Sequence, residues 1–508
     1  MYTESFVDVV VIGGGINGTG IAADAAGRGL RVLLCEQNDL ASATSSASSK
    51  LIHGGLRYLE SYHFALVRDS LKEREILLQT APHLVRPMRF VVPYNRLRRS
   101  FWLIRLGLFL YDLFGYGRFF KRSKMIFLKP NASNPLKHSI RKGFIYSDAT
   151  VDDARLVMTN ALRAARAGGF IANYTRCVGA TRMNDHWQIQ LQNQLNQQTY
   201  TIKCKALINA GGPFMSEILN KILKIQSQYR IKLIKGSHII VPKLHQREEA
   251  YVLQHKDGRV VFVIPYLKQF TLIGTTEIVY QGSPSKAKIT QDEIEYLCDV
   301  VSDYFHRPLK PEQIIYSWSG VRPLVDDQTS SISSNSRESK LELNLNEHEK
   351  LPLINVLGGK LTTYRSLAEK TVNMLAPYFP QMGREWTSTC SLPGGDFKAQ
   401  ELTQFLETLA QDFSWLPTQL ALRYAQNYGT LTYQVLKDTN QVSDLGFHFG
   451  HGLYEKEVVY LIEKEWARKV DDIIWRRTKL GLFMQPHEQK ELEKWMDIYM
   501  HLHFQEAM

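Results

Sequence analysis

The chain has 508 residues, 44% hydrophobic and 22% charged, the make-up of an ordinary globular protein of two or three domains. Its five cysteines, Cys35, Cys177, Cys204, Cys298 and Cys390, lie far apart with no CxxC pair, which argues against a zinc site or a disulfide framework and favours a reducing, cytoplasmic setting. The first residues run into a strand pattern with no secretory leader, no apolar run is long enough to span a bilayer, and the net charge of +12 suits nucleic acid, an anionic membrane surface or anionic substrates.

The first element predicted is a buried parallel strand, Val9 to Ile12, opened by Asp8. It breaks into Gly13-Gly14-Gly15-Ile16-Asn17-Gly18 and continues as a helix with small residues at Ala22 and Ala26. A second apolar strand, Val32 to Cys35, ends on Glu36, 18 positions after Gly18. Each piece has a task in a βαβ dinucleotide site. Gly13 permits the tight turn, Gly15 lets backbone approach a pyrophosphate, and Gly18 lets helix and strand pack closely. The helix N-terminus offers free N–H groups to phosphate, and Glu36 is placed to accept from a ribose. Next comes a hydroxyl-rich stretch, Ala41 to Lys50, which includes Ser45, Ser46 and Ser49. Alone it reads equally as a flexible loop or helix cap. Following a ribose acid, its hydroxyls and amides suit a second phosphate and a flavin ring.

Residues 96–124 carry Arg96, Arg98 and Arg99, then the aromatic and leucine-rich run Phe101 to Phe114, then Arg118, Lys121, Arg122 and Lys124. Too short and too charged to span, this segment reads as a helix lying in a lipid interface, or else as a buried helix with a solvated basic rim. Further on, Ala206 to Asn209 is a strand ending in Ala210 and Gly211, small residues that allow close cofactor approach. Residues 216–349 hold β-branched runs that predict an antiparallel sheet, with Asp326 to Glu347 as an exposed loop or hairpin. A late strand, Ile354 to Leu357, breaks into Gly358-Gly359-Lys360-Leu361-Thr362-Thr363 and opens a helix, a second anion or flavin platform. Three such sites suggest one extended FAD held by a domain assembled from separated segments. Pro393-Gly394-Gly395 reads as a linker to a helical region with apolar spacing over Glu401–Ala410, Glu455–Lys469 and Glu488–His501.

The fold expected is therefore α/β. Residues 1–60, about 150–215 and about 350–385 form a Rossmann-like FAD domain, and about 61–149 with 216–349 form a substrate domain. A helical domain follows from about 390 to 508. Among possible reactive residues, His238 enters an apolar strand, where a histidine is commonly structural. Arg322 precedes Pro323, and a lone arginine is commonly solvated. Arg57 with Tyr58 follows Gly54-Gly55, and Lys360 follows Gly358-Gly359, a pattern that helix capping explains as well as ligand contact.

The glycine fingerprint, the 45–58 stretch, Lys235-Gly236-Ser237-His238, Ser319-Gly320-Val321-Arg322-Pro323-Leu324 and Gly358 to Thr363 together resemble the FAD-dependent glycerol-3-phosphate dehydrogenases, closest to the bacterial aerobic, respiratory type. The resemblance runs in order over essentially the whole chain. It implies a D-amino-acid-oxidase-like flavoprotein fold and a homodimer. The activity implied is oxidation of sn-glycerol 3-phosphate to dihydroxyacetone phosphate, with electrons passed to ubiquinone at the cytoplasmic face of the inner membrane. It makes His238 the base, places Arg57, Tyr58, Thr275, Arg322 and Lys360 around the substrate, and assigns Leu361 and Thr362 to the cofactor. A related oxidase reducing O2, or an amine or amino-acid oxidase, shares much of this pattern, although three cations fit a dianionic phosphate better. No nucleic-acid motif and no metal site are expected.

Overall fold

The computed structural model describes residues 6–60, 62–94, 100–115, 119–129, 134–326, 339–345 and 350–503. Strand β1 (Phe6–Ile12), helix α1 (Ile16–Gly27) and strand β2 (Val32–Cys35) form the expected βαβ unit. β1 lies centrally in an eight-stranded sheet, parallel to β2 on one side and to the strand Thr199–Asn209 on the other. The late strand Leu353–Leu357 runs parallel to Thr199–Asn209, so the three glycine-ended strands lie next to one another.

The alternation of β1 divides two cores. Val9 and Val11 face α1 and the helices Asp153–Arg166 and Tyr364–Asn373. Val10 and Ile12 face a second cluster with Trp187, Ile189 and Met215. Small residues let α1 approach closely: a Cβ on Gly20 would stand 2.8 Å from the Tyr364 ring.

In a second, ten-stranded sheet, Ile231–Pro242 pairs with both Phe270–Gly274 and Tyr316–Val325. This sheet draws in Val85–Pro93 and Lys142–Val151. Two boundaries differ from expectation. Leu51–Ile52 pairs with Ala149 and Thr150 in this second sheet rather than staying with the cofactor segments. Inside the stretch read as an exposed loop or hairpin, Lys340–Asn344 is an edge strand of the first sheet, antiparallel to Leu353–Leu357. Its polar sequence hides a buried carboxylate: Glu342 accepts from Asn355 Nδ2 at 2.9 Å and from the Gln228 N–H at 2.8 Å. The flanking residues 327–338 and 346–349 lie outside the described residues.

Helices Leu402–Asp412, Glu455–Lys464 and Pro486–His503 answer the three C-terminal periodicities, the last two around one apolar core. The second ends at Lys464 rather than Lys469, and Trp466 takes a left-handed φ of +57°. Pro393-Gly394-Gly395 is a buried clamp, not a loose linker. The Leu392 N–H donates to the Thr80 carbonyl at 2.7 Å, and the Thr430 N–H donates to the Gly394 carbonyl at 3.0 Å. A Cβ on Gly394 would stand 2.2 Å from the Tyr428 carbonyl oxygen, so glycine is needed for close approach. Buried charges join this domain to the first sheet. Asp39 accepts from Arg476 at 2.6 Å and from Arg477 at 2.7 Å, and Glu465 pairs with Arg155. Among the described residues no helix is long and apolar enough to cross a membrane.

Candidate functional site

The ends of the parallel strands open into one cavity of about 990 Å³. Its floor begins at the first glycine turn. Gly13 has a φ of +116°, and a Cβ there would lie 2.5 Å from the Ala210 carbonyl oxygen. A Cβ on Gly18 would stand 1.9 Å from the Gly13 carbonyl oxygen, so Gly18 serves helix–strand packing and is not part of the lining. Gly15 lines the cavity, and a Cβ there would meet only Ser45 Oγ, at 3.0 Å. Ser45 Oγ accepts from the Ile16 N–H at 2.9 Å, fixing the hydroxyl stretch against the helix N-terminus. Glu36 also lines the cavity, with its carboxylate accepting the Gly14 N–H at 2.7 Å and the Asn38 N–H at 3.0 Å. Burial raises its pKa above the usual glutamate value.

The two other small-residue turns close on the first. Ala210 and Gly211 line the cavity after Thr199–Asn209. Asn17 Nδ2 donates to the Gly358 carbonyl at 3.0 Å, while a Cβ on Gly359 (φ +109°) would crowd Asn17 to 2.7 Å. Asn17 Oδ1 is buried and accepts no hydrogen bond among the described residues, at the junction of both turns. Gly359, Lys360, Leu361 and Thr362 all line the cavity. Glycines where a Cβ would intrude and helix N–H groups suit a dinucleotide with two phosphates, and the unspent amide oxygen suits one of its N–H or O–H donors.

Two cofactor candidates fall elsewhere. Lys50 does not line the cavity: its ammonium is buried on Asp153, 2.6 Å away, where a desolvated cation must have a carboxylate. Ser46 does not line it either, and its hydroxyl turns to the Ala43 carbonyl.

All six substrate candidates reach the cavity: Arg57, Tyr58, His238, Thr275, Arg322 and Lys360. Lys360 Nζ sits 3.9 Å over the Tyr58 ring, and Arg322 Nη1 lies 3.8 Å from Glu277. Gly236 makes room for this group, since a Cβ there would stand 2.5 Å from Thr275 Oγ1 and 2.6 Å from Arg322 Nη2. His238 is paired across the strands with Gly274 and Trp318. Its ring stacks on Trp318 at 5.6 Å and covers Gly274, where a Cβ would meet Cδ2 at 2.1 Å. Ser49 Oγ lies 2.8 Å from His238 Nε2. Burial, then the Arg322 and Lys50 charges, lower the His238 pKa to about 3, so the ring is neutral at physiological pH.

Other cavity-lining residues had no role assigned from sequence, namely His53, Arg259 and Glu277, and the wall also takes in Leu103 and Leu106 of the helix Phe101–Phe114, which the sequence placed in a lipid interface. Arg259 follows Gly258, the same glycine–cation pattern that marked Lys360, and Asp257 holds it at 2.7 Å. Among the described residues no cluster of His, Cys, Asp or Glu could hold a metal ion.

Residues 8–365 match the family described as FAD dependent oxidoreductase, and residues 386–503 match the C-terminal domain of alpha-glycerophosphate oxidase. The protein is thus an FAD-dependent oxidoreductase. A glycerol-3-phosphate dehydrogenase of Pseudomonas aeruginosa is 50% identical over 492 residues, covering 96% of this chain and 94% of that one. An aerobic glycerol-3-phosphate dehydrogenase of Escherichia coli K12 is 45% identical, covering 97% of each chain. The solved glycerol-3-phosphate dehydrogenase of Bacillus halodurans complexed with FAD superposes with a TM-score of 0.78 at 27% identity, covering 99% of this chain and 92% of that one. The chain belongs to the family of FAD-dependent glycerol-3-phosphate dehydrogenases.

Proposed function

We propose that this chain oxidises sn-glycerol 3-phosphate to dihydroxyacetone phosphate and passes the electrons to a membrane quinone. The observation that carries this reading is the meeting of Arg57, His238, Arg322 and Lys360, from four distant segments, on the cavity into which the glycine turns open. Bound FAD supplies the two-electron acceptor at this site.

Arg57, Arg322 and Lys360 bring three positive charges to a substrate that carries a dianionic phosphate. Arginine forks suit bidentate phosphate contacts, while Lys360 acts as a point charge. Neutral His238 is the base for the proton of the C2 hydroxyl, and the substrate's negative charge offsets the neighbouring cations that depress its pKa. Thr275 and Tyr58 add hydroxyls beside the cations. Gly13, Gly15, Ala210, Gly211 and Gly359 give backbone access to the cofactor, with Glu36, Ser45, Leu361 and Thr362 around it.

The acceptor side rests on the helix Phe101–Phe114. Trp102, Leu103, Leu106, Phe109 and Leu113 are all more than half exposed, whereas Leu108 and Tyr111 are buried in the core. This apolar face, with Lys121, Arg122 and Lys124 exposed nearby in sequence, suits a monotopic helix on an anionic membrane. Arg96, Arg98, Arg99 and Arg118, the remaining cations of that reading, lie outside the described residues. Leu103 and Leu106 belong both to the exposed face and to the cavity wall, which supports entry of a lipid-soluble acceptor from that side.

The test is anaerobic mixing of the holoenzyme with sn-glycerol 3-phosphate, which bleaches the flavin if the reading holds. Absence of bleaching refutes it. Quinone reduction well above peroxide yield then separates the dehydrogenase from an O2-reducing oxidase.

A further inference from the structure

Ser49 is the hydroxyl in the 42–50 stretch whose partner is a titratable ring. Thr44 Oγ1 donates to the Val321 carbonyl at 2.6 Å, and Ser45 Oγ accepts from the Ile16 N–H. Ser48 Oγ donates to Asp153, the carboxylate already paired with Lys50. These hydroxyls hold the loop. Ser49 Oγ instead reaches His238 Nε2 at 2.8 Å, and Ser49 itself is half-buried on the cavity wall.

The ring behind it is hard to reach. His238 is 2% exposed, with Trp318 stacked on one face and the Gly274 backbone against the Cδ2–Nε2 edge. Nδ1 is buried without a partner among the described residues, and Nε2 is the nitrogen that Ser49, itself on the cavity wall, engages. A hydroxyl donates once and accepts twice, so Ser49 can donate to Nε2 and still accept a hydrogen bond from a ligand.

We propose that Ser49 is a catalytic residue that relays the proton of the substrate's C2 hydroxyl to His238. This rests on the substrate reading given above. The C2 O–H bond breaks and its proton passes to Ser49 Oγ, while the Ser49 proton passes to Nε2. The C2–H bond breaks with its electron pair leaving as hydride to the oxidised flavin, and the C2–O bond becomes a carbonyl. The two electrons that the substrate loses would go to bound FAD, and His238 is left as imidazolium. After product leaves, the proton returns through Ser49 to cavity water. The relay requires the tautomer with hydrogen on Nδ1. It explains why a base so deeply buried sits in this site, since Ser49 carries its reach to the cavity surface.

The experiment is anaerobic stopped-flow reduction of the holoenzyme by sn-glycerol 3-phosphate, in the parent, S49A, S49T, H238A and the double variant, with a proton inventory in mixed H2O and D2O. S49A is expected to lower the limiting rate about 10²-fold or more while FAD content stays unchanged. S49T, which restores the hydroxyl, should return the rate to within about tenfold of the parent. Because relay and base act as one unit, the double variant should be no slower than the slower single one. The parent inventory should bow, reporting two protons in motion. In histidine-labelled holoenzyme, the ¹⁵N resonance of His238 Nε2, assigned by its loss in H238A, should move in S49A. A bleachable parent with S49A equally fast, multiplying effects in the double variant, or a linear parent inventory overturns the relay alone. If S49A fails to retain FAD, the parent inventory decides. A parent that is not bleached at all overturns the substrate reading, and the relay with it.

Discussion

Gly15 and Gly18, three positions apart on one turn, meet different neighbours. A side chain on Gly18 collides with the Gly13 carbonyl, a backbone atom that cannot move without opening the turn. One on Gly15 meets only the end of Ser45 and points toward the cofactor space. Gly15→Val is therefore expected to fold with near-parental thermal stability but purify without flavin colour, whereas Gly18→Ala loses both stability and colour. Absorbance at the flavin band and a melting curve check this. Arg322→Ala should raise KM and slow flavin reduction by sn-glycerol 3-phosphate, since one cation fewer faces a partly desolvated dianion. Its loss toward glycerol itself should be much smaller, and equal losses would place Arg322 at the C2 oxygen instead. The sequence revealed which residue types line the site better than where they point. Lys50 and Ser46 share a hydroxyl-rich stretch with Ser45 and Ser49, and only three-dimensional packing shows that Asp153 and the Ala43 carbonyl claim them. His53 stood within a motif already noticed, without a feature to separate it from its glycine neighbours.

The helix Phe101–Phe114 shows what periodicity can and cannot give. Its apolar spacing suggests one broad face of Phe101, Trp102, Leu103, Leu106, Phe109, Leu110, Leu113 and Phe114, and Trp102, Leu103, Leu106, Phe109 and Leu113 of that set are more than half exposed. Leu108 and Tyr111 anchor the helix, with Tyr111 donating to Asp148 at 2.8 Å, and the opposite side is left bare. Trp102, Phe109 and Leu113 are 76%, 55% and 61% exposed and do not line the cavity. Replacing all three with Ser should leave the fold and dye-linked activity intact. Each side chain withdrawn from lipid forfeits about 1.5–3 kcal/mol of burial, so the variant should partition into the soluble fraction and lose quinone-linked activity. Vesicle co-sedimentation measures the first effect, and retention on vesicles would send the docking surface elsewhere. The edge strand Lys340–Asn344 was hard to read for the opposite reason: its alternation is too polar to signal burial, and Glu342 is satisfied by Asn355 on the paired strand and by the sequence-distant Gln228 N–H.

At the scale of the whole molecule, acid stability depends on buried groups far from each other. Burial lowers the pKa of His83 and His238 to about 3 and of His245 to about 4. The unfolded chain takes up protons near pH 6.5 that the folded one refuses, so this stabilisation is complete above that pH and drains away as pH falls toward 3. Burial raises Asp24 and Asp148 to about 6, which acts in the opposite sense, because the folded state then binds protons first as pH drops through 6. The parent slope is the difference between the two sets. His83→Leu removes one histidine from the first set, and its melting temperature should fall less steeply than the parent's between pH 6.5 and 4.5, by roughly 1.4 kcal/mol per pH unit in stability. An identical slope would mean that His83 titrates normally. The βαβ unit and the helical character of the C-terminal region were readable from the glycine turn and the change to helical spacing. The buried clamp at Gly394 was not, since Pro-Gly-Gly reads as looseness until Tyr428 is seen against it.

The central place of β1 has a consequence for how the protein is made. Synthesis releases β1 and β2 early, yet one flank of β1 waits for Thr199–Asn209, and the next strand over waits for Leu353–Leu357. Throughout that interval the nascent chain exposes a hydrophobic strand edge with no native neighbour, the condition under which non-local sheets are slow and prone to aggregate. The second glycine platform leaves the ribosome later still, so the cofactor's complete cradle exists only when about seven-tenths of the chain has been translated. FAD is thus a late guest rather than an early template, and a cell short of flavin accumulates chains whose first strand has already spent most of its life waiting.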